Sequence, residues 1–254
     1  MTTRTIAVFG AGGGLGTALI QHLLQQPSES NTRILAVSHS AQPNVLNVPR
    51  IEWHSVPAYL LENQPNPEFV PQLEALCQKW QQQGVVLHGV VSTLGWLHRS
   101  NWQPERRIEQ LNERQLMAYF HGNAVLPALL VQAVKPLLAK KETAFVAQLG
   151  AKVGSIGDNA LGGWYGYRAS KAALNMLFKT AAIELKRTHK QLTLSVIHPG
   201  TTDTALSEPF QERLPKDKLY SPEQSAERIW SVIRALEPAQ SGGFWFWDGT
   251  PLPW

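Results

Sequence analysis

The chain alternates short apolar runs with longer stretches whose apolar residues recur at helical spacing. Thr5–Phe9 is short, apolar and β-rich, as a strand buried on both faces would be. A glycine-rich turn, residues 10–16, follows, and residues 17–26 show helical periodicity closed by Pro27. Residues 33–38 predict a second strand and 51–53 a third, the latter inside an irregular Pro/Asn-rich stretch, 43–67. Residues 69–83 predict an amphipathic helix stopped by Gly84, 85–91 a fourth strand and 96–105 a loop. The pattern from 107 to 139 is helical, with a break near Asn112 and kinks at Pro127 and Pro136. A fifth strand at 143–149 leads into a five-glycine loop, 150–163, then a long helix, 165–189, and a sixth strand, 192–197. Residues 205–220 are polar and irregular, as a substrate loop would be. Ser221 and Pro222 read as the N-cap and first position of another helix, and 243–247 as a last strand.

This alternation predicts one α/β domain over residues 1–254: a Rossmann-type, doubly wound parallel sheet of about seven strands with helices on both faces. No linker or internal repeat interrupts it. In such a sheet the turns after the strands gather at one edge. The glycine turn, the 92–95 turn, the loop after Gly150 and the loop after Pro199 are therefore expected to converge.

A hydrophobic content of 43% with 17% charged residues allows a sizeable core. The net charge of +4 is spread over scattered basic residues, the densest being pairs such as Arg106-Arg107, so no nucleic-acid tract is expected. A mildly positive pocket for a phosphate-bearing cofactor stays open. The single Cys77 excludes an intrachain disulfide, suits a reducing compartment and reads as a small core residue. The N-terminal apolar run breaks at once into glycines, and no run approaches the ~18 apolar residues of a membrane span. A cytoplasmic protein is expected, with no membrane partner and no metal site.

The candidate chemistry begins at the glycine turn. Strand, glycines, helix is the context in which backbone N–H groups cradle a pyrophosphate, here with Gly10, Gly14, Leu15 and Gly16 as binding positions. The glycine spacing is G-x-x-x-G-x-G; a turn without ligand is the alternative. The second strand ends in Ser38, His39 and Ser40, with no acid to repel a 2′-phosphate. This favours NADP, with NAD possible, and Ser38, His39 and either Arg33 or Arg50 as contacts. Tyr167 and Lys171 stand at i and i+4 on the long helix, one turn apart on one face. A lysine cation within a few Å favours the phenolate and lowers the tyrosine pKa, making an acid/base for an alcohol/carbonyl couple. The alternative is an exposed aromatic–cation contact. Asn123, within a helical stretch, is exposed or backbone-bonded unless a site recruits it.

Taken together, these residues resemble the short-chain dehydrogenase/reductase family over essentially the whole chain. Gly10, Gly14 and Gly16 match its cofactor turn, Asn123 its active-site asparagine, Tyr167 and Lys171 its Tyr-x-x-x-Lys, and Pro199-Gly200 with Thr204 its nicotinamide-side loop. Residues 153–159, His198-Pro199-Gly200 and the Asp248-Gly249 ending resemble the C-factor subgroup, related to small carbonyl reductases. The resemblance implies that Tyr167 protonates a carbonyl oxygen as hydride arrives, that Lys171 lowers the Tyr167 pKa and holds the nicotinamide ribose, and that Asn123 supports a proton relay. It implies cofactor contacts at Thr93, Gly95, Pro199, Gly200, Thr202 and Thr204. A small carbonyl or alcohol is the implied substrate, and a homodimer or homotetramer the implied assembly, through residues 107–139 and 165–189. Trp96, His98, Trp164 and the 205–220 loop are expected at the pocket.

The chain departs from the family pattern in three places. Ser92-Thr93-Leu94-Gly95 replaces Asn-Asn-Ala-Gly, Ser55 stands near the usual aspartate, and Ala151 occupies the position of the catalytic serine. Ser155 is the nearest hydroxyl, either a substitute or a loop-stabilising residue. A second function class therefore stands beside the oxidoreductase: a cofactor-binding signalling or sensor protein with little or no turnover.

Overall fold

The computed structural model describes residues 3–61, 64–99, 102–212 and 215–254. Residues 62–63, 100–101 and 213–214, from three of the expected irregular stretches, lie outside the described residues. The strands are β1 (Thr5–Phe9), β2 (Arg33–Ser38), β3 (Ile51–Ser55), β4 (Gly89–Ser92), β5 (Ala144–Leu149), β6 (Leu192–His198), β7 (Thr201–Thr202), β8 (Leu219–Tyr220) and β9 (Gly243–Phe246). Seven of them form one parallel sheet in the order β3-β2-β1-β4-β5-β6-β9, while β7 and β8 pair as a separate short ribbon. The helices are α1 (Gly14–Gln25), α2 (Phe69–Gln82), α3 (Glu113–Phe120), α4 (Leu126–Val134), α5 (Tyr165–Leu185) and α6 (Pro222–Ala235).

Alternate strand residues feed two cores, which is why the strands read as unbroken apolar runs. Ala7, Leu35, Val90, Val146 and Leu194 pack under α2, α4 and α5 through Leu73, Trp80, Leu130, Leu174 and Phe178. Ile6, Val8, Ile34, Val91 and Ile197 pack under α1 and α6 through Leu19, Ile20, Ile229 and Ile233. Each Val, Leu, Ile or Phe side chain among them contributes roughly 1.5–3 kcal/mol on burial. The chain winds outward from β1 to β3, then returns to lay β4 on the other side of β1. Between β1 and β4 the connections leave in opposite directions, opening a crevice at the strand C-termini.

Element boundaries differ where tertiary contact overrides local pattern. The first helix begins at Gly14, not at 17, because glycines let its first turn pack against the preceding loop. The fourth strand starts only at Gly89, since the chain before it makes one bridge, Leu87 to Leu138, and leaves Val86 exposed. The third strand runs on to Ser55, following its β2 partner to Ser38. The fifth helix stops at Leu185 rather than 189. Asn112 does mark a break, as the N-cap of α3, its side chain accepting from the Gln115 N–H. A π turn, His121–Val125, then separates α3 from α4. Pro127 therefore sits in the first turn of α4, where its missing N–H costs little. Ser221 caps α6 as expected, in a reciprocal pair with Gln224.

One composition reading is corrected. Residues Glu113–Leu137 are long and apolar enough to cross a membrane, although no such run was expected. The stretch is more than half buried and packs against α2 and α5, which makes it a core element of this fold.

Candidate active site

At the end of β1 the chain turns through Gly10, whose φ of +82° suits glycine. The turn is close-packed. A Cβ on Gly16 would stand 2.1 Å from the Gly10 carbonyl oxygen, and one on Gly10 2.2 Å from Thr93 Oγ1. Thr93 holds that place by donating to the Phe9 and Gly10 carbonyls at 3.2 Å. Helix α1 starts with Gly13 as N-cap, no capping side chain and no acid in its first turn. The N–H groups of Gly14, Leu15 and Gly16 are thus left to an anion at the positive end of a helix. This cradle fits the pyrophosphate of a dinucleotide.

A slot of about 170 Å³ opens beside the turn, walled by Val37, Ser38, His39, Val56, Thr93 and Gly95 among others. No acidic side chain is among its described lining residues. The hydroxyls of Ser38 and Ser40 meet at 3.0 Å against Gly12, where any Cβ would collide with Ser40 Oγ. Arg33 and Arg50 do not reach this place. Arg33 opens β2, roughly 16 Å of extended chain before Ser38, and pairs with Glu52. Arg50 donates to the carbonyls of Leu24, Glu29 and Ser30.

On α5, Tyr167 and Lys171 are both buried, with relative exposures of 6% and 4%. The Lys171 Nζ lies 5.8 Å from the centroid of the Tyr167 ring and donates to the Leu149 carbonyl at 3.3 Å. Burial pushes the Tyr167 phenol well above its ordinary pKa, with Tyr119 and Tyr59 adding to the rise. Burial pushes Lys171 down to about 8. The expected lowering of the Tyr167 pKa by Lys171 is therefore not found: desolvation of the phenolate outweighs attraction to a lysine that is itself desolvated. Tyr167 stands as a protonated phenol at neutral pH.

Asn123 sits in the π turn, fully buried. Its Oδ1 accepts the Trp96 N–H at 2.9 Å, and its Nδ2 donates to the Trp96 carbonyl and to Ser170 Oγ, both at 3.1 Å. The side chain is thus spent on tying the chain after β4 to α5. A Cβ on Gly95 would stand 3.1 Å from Lys171 Nζ and 3.2 Å from Asn123 Oδ1, so these three residues meet at one point.

A larger cavity, about 1230 Å³, lies over the same edge. Leu15, Ala151, Tyr167, His198, Pro199, Gly200, Thr202 and Thr204 line it. Thr202 does not offer its hydroxyl, which is bonded to Ser225 Oγ at 2.8 Å. Thr204 closes over the glycine turn, its methyl 3.0 Å from where a Gly14 Cβ would be. Of the residues expected at the pocket, Trp164 lines the cavity, as do Leu206, Ser207, Pro209 and Phe210 of the 205–220 loop. Trp96 is instead buried, stacked on Tyr119 at 4.3 Å. His98 anchors the 205–220 loop, its Nε2 3.0 Å from the Ala205 carbonyl oxygen. Phe210 of that loop packs edge-on against both Trp164 and His98. Ser155 is buried away from the cavity, accepting the Asp158 N–H at 3.1 Å, so it stabilises the loop.

Two further wall residues were not among the candidate site residues. Glu105, 2% exposed, takes the Trp164 N–H on its carbonyl at 2.5 Å and the Gly166 N–H on Oε2 at 3.2 Å. It thereby fixes the start of α5, where Trp164 is held at φ 54°, in the left-handed region. His198 faces the cavity only because β6 carries it alongside Gly150.

The sheet, its switch-point crevice and the glycine turn define a Rossmann-type α/β protein. The family model for short chain dehydrogenases matches residues 4–215, and the chain belongs to that family. It is therefore an oxidoreductase by family. Among curated relatives, a 1-hydroxy-2-glutathionyl-2-methyl-3-butene dehydrogenase of Rhodococcus sp. (strain AD45) is 34% identical over 72% of this chain and 75% of its own. The C-signal protein of Myxococcus xanthus is 32% identical over 53% of this chain and 76% of its own. Among solved structures, an NADPH-bound carbonyl reductase from chicken fatty liver superimposes with a TM-score of 0.81 at 21% identity, over the whole of both chains, a likeness of fold.

Proposed function

We propose that the protein is an NADP-dependent reductase of carbonyl compounds, with Tyr167 as the acid. The observation that carries this reading is the placement of Tyr167 in the wall of the large cavity, with Lys171 and Gly95 behind it and the glycine cradle at the same sheet edge. When bound, the nicotinamide supplies the hydride. Gly10, Gly14, Leu15 and Gly16 hold the pyrophosphate; Ser38 and His39 face the 2′-phosphate; Thr93, Gly95, Pro199, Gly200, Thr202 and Thr204 flank the rest. Tyr167, kept protonated by burial, gives its proton to the carbonyl oxygen. Lys171 lies next in line to resupply that proton. Asn123 acts by holding the Trp96 strand end and α5 in register. That no described lining residue of the slot is acidic supports NADP over NAD, and the chicken structure is of an NADPH-bound reductase.

The cavity, about 1230 Å³, has room for the nicotinamide end of the cofactor and for a substrate beside Tyr167 and Trp164. The Rhodococcus relative is named for a glutathionyl-bearing alcohol. A cytoplasmic setting accords with Cys77, a buried thiol whose pKa is pushed up to about 12 by burial and Glu74.

The test is NADPH consumption over a panel of aldehydes, ketones and quinones, with wild type beside Tyr167→Phe. Wild type turns over at least one class, and the variant loses about 10²–10⁴-fold in kcat. Equal background rates in both would sink the enzyme reading. That outcome, with NADPH binding retained, favours the second reading, a cofactor-binding signalling protein. Ala151, which cannot bond a substrate oxygen, and the C-signal relative support it.

A further inference from the structure

A carbonyl oxygen that takes on negative charge as hydride adds needs donors aimed at it, and one such donor is worth about 10²–10³ in rate. Tyr167 supplies one. On the β5 side of the cavity the wall residue is Ala151, which supplies none. Several other polar side chains of the wall are already committed. Lys152 pairs with Asp158, Thr202 with Ser225, and Ser207 donates to the Thr202 carbonyl. His198 is different. Its Nδ1 is buried without a partner, and neither ring nitrogen bonds to any described residue.

Its position follows from the sheet register. Leu149 is paired with Ile197, and the Gly150 N–H donates to the Ile197 carbonyl at 2.8 Å, so residue 198 stands beside Gly150 and Ala151, one strand spacing away. Strand alternation puts His198 on the side of Val196, whose core contains Leu174 and Phe178 of α5. The imidazole thus projects toward the helix bearing Tyr167 and Lys171. The ring of Phe246, with its centroid 5.4 Å away, backs it.

Resting on the reductase reading above, we propose that His198 is a catalytic residue whose Nε2–H hydrogen-bonds the substrate carbonyl oxygen, the role a hydroxyl at position 151 would fill. The ring is neutral at working pH: burial first, then Lys152 and Lys171, hold its pKa near 3. A neutral imidazole carries one N–H. Leaving the enclosed Nδ1 as the bare nitrogen puts that proton on Nε2. The pairing makes His198 a donor that does not compete with Tyr167 for the role of acid.

The experiment uses the full chain, NADPH and a carbonyl substrate found with the panel. His198→Ala is expected to lower kcat by about 10²–10³-fold, with the NADPH dissociation constant, read by fluorescence titration, unchanged within about threefold. His198→Gln, whose amide can donate, recovers at least tenfold, as does Ala151→Ser placed in the His198→Ala background. The ¹⁵N signals of the wild-type histidine at pH 7 show the Nε2–H neutral tautomer. Undiminished kcat in His198→Ala overturns the proposal. So does a loss that neither Gln nor Ala151→Ser relieves, which marks a structural role. Should the variants fail to fold, a charged ring or an Nδ1–H tautomer in the wild-type spectrum overturns it. A wild type inactive on every carbonyl fails the reductase reading itself, an outcome distinct from an active wild type matched by an active His198→Ala.

Discussion

Lys171 is a charge kept where water does not reach, and it costs stability. Its pKa falls from 10.5 to about 8 on folding because burial disfavours the ammonium. Below pH 8 both folded and unfolded chains hold the proton, and the full cost is present. Between pH 8 and 10.5 the folded chain sheds the proton while the unfolded chain keeps it, so stability rises with pH. At about 1.4 kcal/mol per unit the cost is about 3 kcal/mol. Lys171→Met should therefore be more stable than wild type at pH 7 by up to about that amount. The advantage should shrink by pH 10, as measured by urea unfolding, while activity is lost. A variant less stable than wild type at pH 7 would contradict this account. Tyr167 and Lys171 were legible in the sequence because i, i+4 neighbours meet on any helix. Their protonation was not, because it depends on how much water the rest of the fold excludes.

At the scale of elements, the π turn joins chemistry to architecture. Asn123 uses its whole amide to fasten the Trp96 backbone and Ser170, so the chain after β4 and α5 move as one. Asn123→Ala removes three buried hydrogen bonds and strands both Trp96 polar groups. It should cost about 2–4 kcal/mol and speed amide exchange at Trp96, read by hydrogen–deuterium exchange. Unchanged exchange there would show that the tie is dispensable. The helix breaks at Asn112 and Ser221 could be read directly, since capping is a contact within three residues. The π turn could not, because its extra residue is stabilised by packing against α5 rather than by any local preference. Nor could Glu105's hold on α5, a contact spanning 61 residues.

At the scale of the molecule, one surface and one pH response follow. Met117 and Val125 on the α3–α4 stretch and Met176 and Ile183 on α5 are exposed, at 64%, 41%, 67% and 58%. They fall on the two stretches through which the family resemblance implies a homodimer or homotetramer. Met176→Glu with Ile183→Glu should then turn a dimer into a monomer by light scattering; an unaltered mass would place the interface elsewhere. His22, His54, His121, His189 and His198 all have pKa values lowered chiefly by burial. Their unfolded forms take up protons below about pH 6.5 while the folded forms resist, so stability falls as the pH drops through that range. Thermal midpoints should decline between pH 7 and 5, before the carboxylates titrate. A flat profile there would show these rings to be open to solvent.

The amino-acid sequence by itself determined the strand–helix alternation, the seven-stranded parallel sheet, the glycine turn and the Tyr167–Lys171 spacing, since each is written in neighbours a few residues apart. Only the tertiary structure decided that Arg33 and Arg50 serve the far edge, that Thr202 and Ser155 spend their hydroxyls elsewhere, and that His198 stands beside Ala151. Those outcomes depend on which strands lie side by side and which groups lose their water, and both are properties of the packed chain.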